Sequence, residues 1–159
     1  MDDSSLVGFD SAYKVNPPFR TKTDNKALIK SLQDGTVDVL VSNHLPHDEE
    51  AKNLEFDLAD FGIISQQTLA HNLAEMSQMV DMHVLIEKVA TNPRTLLKIE
   101  ENSIEEGSKA DLTLFDPDYI WALDASSSFS KSENTPYWNK ELKGKAMAVF
   151  NNGKSYLHI

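Results

Sequence analysis

The 159-residue sequence contains no cysteine, which excludes a disulfide framework and a thiolate metal site. No apolar run approaches the roughly 20 residues that a membrane-spanning helix needs, and the acidic opening M-D-D-S-S does not resemble a signal peptide. Lys and Arg number only 15 against 25 Asp and Glu, and this net charge of −10 argues against nucleic-acid binding. We therefore expect a soluble, cytoplasmic protein with no membrane or nucleic-acid partner.

The composition is that of a globular protein of ordinary domain length. Hydrophobic residues make up 40% of the chain and charged residues 25%, which excludes a disordered chain. A length of 159 residues is enough to enclose one hydrophobic core.

Residues 37–42 (V-D-V-L-V-S) form an apolar, β-branched run that ends abruptly in the polar sequence N-H-L-P-H. This pattern predicts a buried parallel strand, and the carboxyl end of such a strand is where barrels and open α/β sheets bind substrates. A helix over residues 21–34 is predicted to precede it, with Thr21 or Thr23 as N-cap and Gly35 as the stop.

Residues 43–62 are predicted to form a long polar loop, which in a compact domain is typically functional or disordered. Helices are predicted over residues 63–79 and 82–90. A short helix should begin near Pro93, with Leu96, Leu97 and Ile99 facing inward.

The chain becomes rich in strands after residue 100. Strands are predicted over residues 110–115, 119–123, 143–150 and 155–159, and N-N-G at 151–153 is a hairpin signal. The first hundred residues, by contrast, supply only one clear strand, and one strand cannot close a sheet or a barrel. We therefore expect the strand at 37–42 to pair with upstream sequence or with a partner chain.

Two histidines in the predicted loop could carry chemistry. His44 and His47, with the acidic residues at 48–50, could ligate a metal, or they could belong to a solvated polar loop. Asn43 lies at the strand end where barrel enzymes often present a catalytic group, but an amide has no useful basicity, and a loop-capping role is the alternative.

Lys14, Asn16 and Arg20 could bind an anionic ligand, since Arg offers a planar fork that matches a carboxylate. The alternative is surface charge beside a turn-forming Asn.

Several segments, in order along the chain, resemble the bacterial type I branch of dihydroorotase, a cyclic amidohydrolase. Y-K-V-N-P-P-F-R at 13–20 resembles K-x-N-P-P-L-R, and D-G-T-V-D-V-L-V-S-N-H-L-P-H at 34–47 resembles D-G-T-I-D-x-I-A-T-D-H-A-P-H. The family's E-E-K, F-G-I-x-G-x-E-T and N-T-P-F have counterparts at 48–52, 61–68 and 134–137. Residues 91–99 and 105–116 resemble signatures found across amidohydrolases.

This resemblance implies an α/β fold: the last part of a (β/α)8 TIM barrel followed by strands of a small β-sandwich. Residues 1–103 would form the last part of the hydrolase barrel, with 37–42 as its eighth strand. Residues 104–159 would form the C-terminal share of the sandwich. The shortage of strands noted above would then reflect barrel sequence that lies outside this chain.

The resemblance also implies the roles of five residues. Asn43 stands where the family has the Asp that binds metal and acts as general base. His47 matches the histidine that contacts the substrate carboxylate, and Asn16 matches the asparagine at the substrate ring. The backbone at Phe61 and Gly62 matches the loop that closes over the ring.

The family reaction is the reversible hydrolysis of dihydroorotate to N-carbamoyl-L-aspartate in pyrimidine biosynthesis. Zinc is the family cofactor, but the family's other metal ligands match nothing in this chain, so we expect no zinc bound by this chain and no hydrolysis by it alone. The alternative is a non-catalytic pseudo-dihydroorotase that assembles with aspartate transcarbamoylase. A homo-oligomer is expected in either case, and a hydantoinase is a third, weaker possibility that N-P-P-F-R disfavours.

Overall fold

The computed structural model describes residues 1–100 and 103–158. Its α-helices are α1 (Lys22–Gln33), α2 (Glu49–Lys52), α3 (Leu69–Met76), α4 (Met82–Ile86) and α5 (Asn92–Leu97). Short 3₁₀ turns cover Asp3–Leu6 and Ser11–Tyr13, and a π-helical turn covers Glu87–Thr91. The strands are β1 (Leu112–Ala122), β2 (Glu141–Asn151) and β3 (Lys154–Leu157).

The helix predicted over residues 21–34 is confirmed as α1. Thr21 is its N-cap: the Thr21 hydroxyl accepts a hydrogen bond from the Asp24 backbone N–H, and the Asp24 carboxylate accepts one from the Thr21 N–H. This reciprocal pair satisfies two amide groups that a helix start leaves unbonded. Gly35, with φ of +81°, follows the helix in the left-handed region that stops it.

The strand predicted at residues 37–42 is not formed. These residues carry no β-ladder, and one of their backbone hydrogen bonds joins Leu40 N–H to the Lys88 carbonyl at 2.9 Å. Val41 is 75% exposed. A parallel strand needs neighbouring strands to satisfy its backbone groups, and no other segment of the described residues lies beside this one as a strand.

The predicted helices are partly wrong in extent. The polar loop at 43–62 contains α2, and the helix predicted over 63–79 is reduced to α3. The segment from α4 to α5 is a single helical run through a π-helical turn just before Pro93, whose missing N–H cannot bond to the preceding turn. The prediction that Leu96, Leu97 and Ile99 face inward is wrong, because their exposed fractions are 69%, 67% and 51%.

The strand-rich region forms one antiparallel sheet in the order β1-β2-β3. The strands predicted at 110–115 and 119–123 merge into β1, with register shifts after Leu114 and between Asp116 and Ile120. The predicted hairpin is confirmed between β2 and β3, where Asn152 and Gly153 both have positive φ. Ile159, at the end of the predicted strand 155–159, lies outside the described residues.

The described residues contain two hydrophobic clusters, and the first includes Leu73 of α3. One is built on Leu73, Val80 and Leu85, and the other on Trp121, Leu123 and Leu142. A further finding is that no helix in the described part of the chain is long and apolar enough to cross a membrane.

Gly144 of β2 is the point of closest approach between the sheet and α3. A Cβ atom added there would lie 2.7 Å from the Ala74 Cβ and 2.9 Å from the Ala70 carbonyl oxygen. The Gly144 carbonyl also accepts a hydrogen bond from the Trp121 indole N–H at 3.0 Å. The helix and the sheet can therefore pack at this distance only with glycine at 144.

We expect Gly144→Ala to lower the free energy of unfolding by about 2–4 kcal/mol, because it combines a left-handed backbone with overpacking. Gly107→Ala is the matched control: Gly107 has φ of +88°, close to the +93° of Gly144, but open space around its Cβ position. The control should lose only about 1–2 kcal/mol in urea unfolding. Equal losses for the two variants would show that α3 and the sheet are not closely packed.

Candidate functional site

The candidate site is built on two segments that run side by side, residues 42–47 and residues 62–66. His44 and Ile63 form a parallel bridge, in which Leu45 N–H donates to the Ile63 carbonyl at 2.8 Å. The Ser65 hydroxyl donates to the Ser42 carbonyl. This pairing places the histidine-bearing loop against the loop that ends at Gly62.

His44 has a structural role in this pairing. Its Nδ1 accepts hydrogen bonds from the Ser65 N–H at 3.1 Å and the Gln66 N–H at 3.2 Å. Because Nδ1 accepts both bonds, it carries no proton and its lone pair is already used. The His44 ring therefore fixes the backbone of residues 65–66.

His47 joins the same two loops through its side chain. Its Nε2 lies 3.0 Å from the Phe61 carbonyl oxygen, which can only accept, so Nε2 carries the proton. Its Nδ1 lies 3.7 Å from an Asp60 carboxylate oxygen. The ring is largely buried, with 20% of the side chain exposed, whereas the Asp60 side chain is 64% exposed.

Asn43 and Asn16 are brought together at the surface. The Asn43 side-chain amide donates to the Asn16 backbone carbonyl at 3.3 Å, and both residues are exposed. Asn43 has φ of +49°, a left-handed conformation that both Asn and Asp tolerate. The backbone therefore does not by itself require an amide rather than an acid at this position.

Gly62 connects the N-terminal segment to the loop. Its N–H donates to the Lys14 carbonyl at 2.9 Å, two residues before Asn16. With φ of +135°, it lies against Leu45, whose Cδ2 would be 2.6 Å from an added Cβ. The five residues singled out by the sequence motifs thus lie in one connected group, in which Leu45 occupies space at Gly62.

Arg20, the third candidate anion ligand, is directed elsewhere. Its Nε lies 3.4 Å from the Asp24 carboxylate on the first turn of α1, and its side chain is 61% exposed. Lys14, in contrast, is buried, and its Nζ donates to the Asp57 carbonyl at 2.9 Å and lies 4.6 Å from the centroid of the Phe61 ring.

Asn134 is the residue at this site whose role the sequence did not reveal. Its side-chain oxygen accepts from the His47 N–H at 3.2 Å, and its Nδ2 donates to the Leu45 carbonyl at 3.0 Å and the Gly62 carbonyl at 3.2 Å. Its own carbonyl accepts from the Ile64 N–H at 3.0 Å. The signal was present in the N-T-P-Y sequence at 134–137, which carried a resemblance but no assigned role.

The donor atoms in the described residues do not fit the zinc ion that the resemblance implies. Within residues 1–100 and 103–158, no group of three or more His, Cys, Asp or Glu side chains lies close enough to hold a metal ion. The Nδ1 of His44 is used by two amides, and Asp48 caps α2 by accepting the Ala51 N–H at 2.9 Å. What the arrangement offers instead is a set of side-chain and backbone hydrogen-bonding groups.

Comparison with known proteins shows which solved structures share this fold. No family model matches the sequence. In structure, an L-hydantoinase (dihydropyrimidinase) from Arthrobacter aurescens matches with a TM-score of 0.82 at 22% identity, over 100% of this chain and 38% of that one. A dihydroorotase from Campylobacter jejuni matches with a TM-score of 0.67 at 14% identity, over 92% of this chain and 41% of that one. This chain therefore shares the fold of one part of these enzymes, which are amidohydrolase TIM-barrel proteins.

In sequence, the chain is similar to dihydroorotases. Dihydroorotases from Geobacter metallireducens and Desulforapulum autotrophicum are 38% and 37% identical to it, each over 157 residues and 97% of this chain. The chain is thus homologous to dihydroorotases, which confirms the resemblance. It spans 37% and 36% of the length of these two relatives.

We expect Asn134→Ala to lower the free energy of unfolding by about 2–4 kcal/mol, because it leaves the His47 N–H and the carbonyls of Leu45 and Gly62 without a partner. Asn53→Ala, at an exposed residue after α2, is the control and should change it by less than about 0.5 kcal/mol. Urea unfolding measures both, and hydrogen exchange should show the His47 amide losing protection. Unchanged protection at His47 would mean that Asn134 does not hold the loop.

Proposed function

We propose that this chain supplies the ring-contacting part of a dihydroorotase-type site, whose family reaction opens dihydroorotate with water to give N-carbamoyl-L-aspartate. The proposal is based on two hydrogen bonds within one group of residues. The Asn43 side-chain amide donates to the Asn16 carbonyl, and the His47 Nε2–H donates to the Phe61 carbonyl. Asn16, His47 and the Phe61–Gly62 backbone would bind the ligand. A cyclic amide presents N–H and C=O groups, which pair with side-chain amides and backbone groups of this kind.

His47 has one ring nitrogen that a ligand can use. Its Nε2–H is engaged by the Phe61 carbonyl, whereas Nδ1 lies beyond normal hydrogen-bond length from Asp60. Because the Asp60 side chain is mostly exposed, a ligand carboxylate could replace it beside Nδ1, where it would accept a hydrogen bond from the cationic form of the ring, which carries a proton on both nitrogens. The proposed ligand is therefore dihydroorotate or a related anion.

Asn43 is the reason we propose that the chain does not catalyse by itself. Ring opening needs a group that takes a proton from water and returns one to the leaving nitrogen, and a neutral amide does neither. Asn43 instead donates its amide hydrogen to Asn16. In this proposal its side chain orients the Asn16 backbone.

A second candidate function is supported by the side-chain amide of Asn43 and by apolar residues that are exposed at the surface. Val41 is 75% exposed at the unpaired segment, and Leu96 and Leu97 are also mostly exposed. Such residues are typical of surfaces that another polypeptide covers. The alternative is therefore a non-catalytic pseudo-dihydroorotase that self-associates as a homo-oligomer or assembles with aspartate transcarbamoylase.

We expect the purified chain to bind dihydroorotate without opening its ring. Titration followed by NMR should show binding that His47→Ala weakens about tenfold or more, as for loss of a charge-assisted hydrogen bond. His83→Ala, at an exposed histidine of α4, is the control and should bind as the unaltered chain does. Absence of binding, or a zinc-dependent rate of ring opening that a chelator removes, would contradict the proposal.

The scaffold alternative predicts co-elution with aspartate transcarbamoylase in size-exclusion chromatography. Val41→Asp should abolish it, because a charge at a covered apolar contact is costly to bury. Leu58→Asp alters a residue with a comparable exposed fraction, 64%, in the loop after α2 and should leave co-elution unchanged. A chain that elutes alone in the presence of the transcarbamoylase would exclude this partner.

A further inference from the structure

Two buried lysines lie behind the loop that ends at Phe61. Lys14 is 7% exposed and Lys52 is 6% exposed. The Lys52 Nζ donates to the Asp60 carbonyl at 2.8 Å and to the Lys14 carbonyl at 3.4 Å. The Lys14 Nζ donates to Asp57 and faces the Phe61 ring. One pair of cations therefore supports both the Asn16 segment and the loop.

The charge of this pair is not neutralised locally. Within residues 1–100 and 103–158, neither ammonium group has a carboxylate oxygen within 4.0 Å, although the protein carries 25 acidic residues. Burial, followed by the nearby charge of Lys14, lowers the pKa of Lys52, and the more distant carboxylates of Asp60 and Asp10 oppose that shift. Two like charges kept in the interior without a carboxylate in direct contact are costly, and such arrangements concentrate at functional sites.

We propose that Lys14 and Lys52 select an anionic cyclic amide over a neutral one at this site, an inference that rests on the proposed function. The Lys52 Nζ donates a hydrogen bond to the carbonyl of Asp60. The next residue is Phe61, whose carbonyl accepts the hydrogen bond from the His47 Nε2–H. Lys14 is two residues from Asn16 and receives the Gly62 N–H. A carboxylate held between Asn16 and His47 would therefore be attracted by this positive charge, which lies behind the Phe61 loop.

The ring ligands to be distinguished differ in charge. Dihydroorotate carries a carboxylate on its ring, whereas the simplest dihydropyrimidine, 5,6-dihydrouracil, is the same ring without it. The structural neighbours include hydantoinases and dihydropyrimidinases, and the sequence relatives are dihydroorotases. A shared backbone does not distinguish these ligands, whereas side-chain charge can, because the two rings differ by one negative charge.

The test compares the affinities of the whole 159-residue chain for L-dihydroorotate and 5,6-dihydrouracil, from the NMR shift of the Gly62 amide. The chain should prefer the anion by about tenfold or more, as expected for a charge held close to a carboxylate at low dielectric. Lys14→Met and Lys52→Met should each weaken binding of dihydroorotate severalfold more than binding of dihydrouracil, and so reduce the preference. Lys14→Arg keeps the charge and should retain the preference.

Lys26→Met, at an exposed residue of α1, is the control for net charge and should leave the preference unchanged. Equal affinity for the two ligands in the unaltered chain would overturn the inference while leaving the proposed function standing. If the preference for dihydroorotate is unchanged in both Lys→Met variants, the inference is likewise overturned and the proposed function still stands. Failure of both ligands to bind would overturn the proposed function itself. If one Lys→Met variant does not fold, the other variant and the preference of the unaltered chain still decide the question.

Discussion

The side-chain amide of Asn134 is the interaction on which the geometry of this site depends. It uses its oxygen and both hydrogens on three backbone groups, in two loops that are also joined by the pairing of residues 42–47 with 62–66 and by the hydrogen bond between His47 and Phe61. An amide is suited to this because it both donates and accepts, as a backbone peptide does. Since Asn134 is only 8% exposed, water does not readily replace it.

The elements that the sequence predicted well are those determined by neighbouring residues. The cap at Thr21, the stop at Gly35 and the turn at Asn152–Gly153 each depend on a few adjacent side chains, and the structure has all three. The prediction of a strand at residues 37–42 rests on the apolar, β-branched pattern of the segment and on the family resemblance. Its extended state depends on neighbouring strands, which are a property of tertiary structure and not of the segment.

The candidate site shows the same division. Asn16, Asn43, His47, Phe61 and Gly62 could be chosen from motifs, and the structure places them in one group. Asn134 could not be chosen in this way, because it lies 87 residues from His47 along the chain. Nor could sequence spacing predict the shared environment of Lys14 and Lys52, whose separation of 38 residues closes only in three dimensions.

The position of Asn134 bears on how the chain can be divided. Asn134 belongs to the connection between β1 and β2, beyond the boundary expected near residue 103, yet its bonds are made to loops before that boundary. The connection between β1 and β2 therefore holds the loops of the candidate site together through Asn134. An N-terminal piece ending near residue 103 would contain every proposed ligand-contacting residue but lack the side chain that aligns them. A shortened or grafted form of this fold therefore has to include the connection between β1 and β2 together with the loops at residues 42–47 and 62–66.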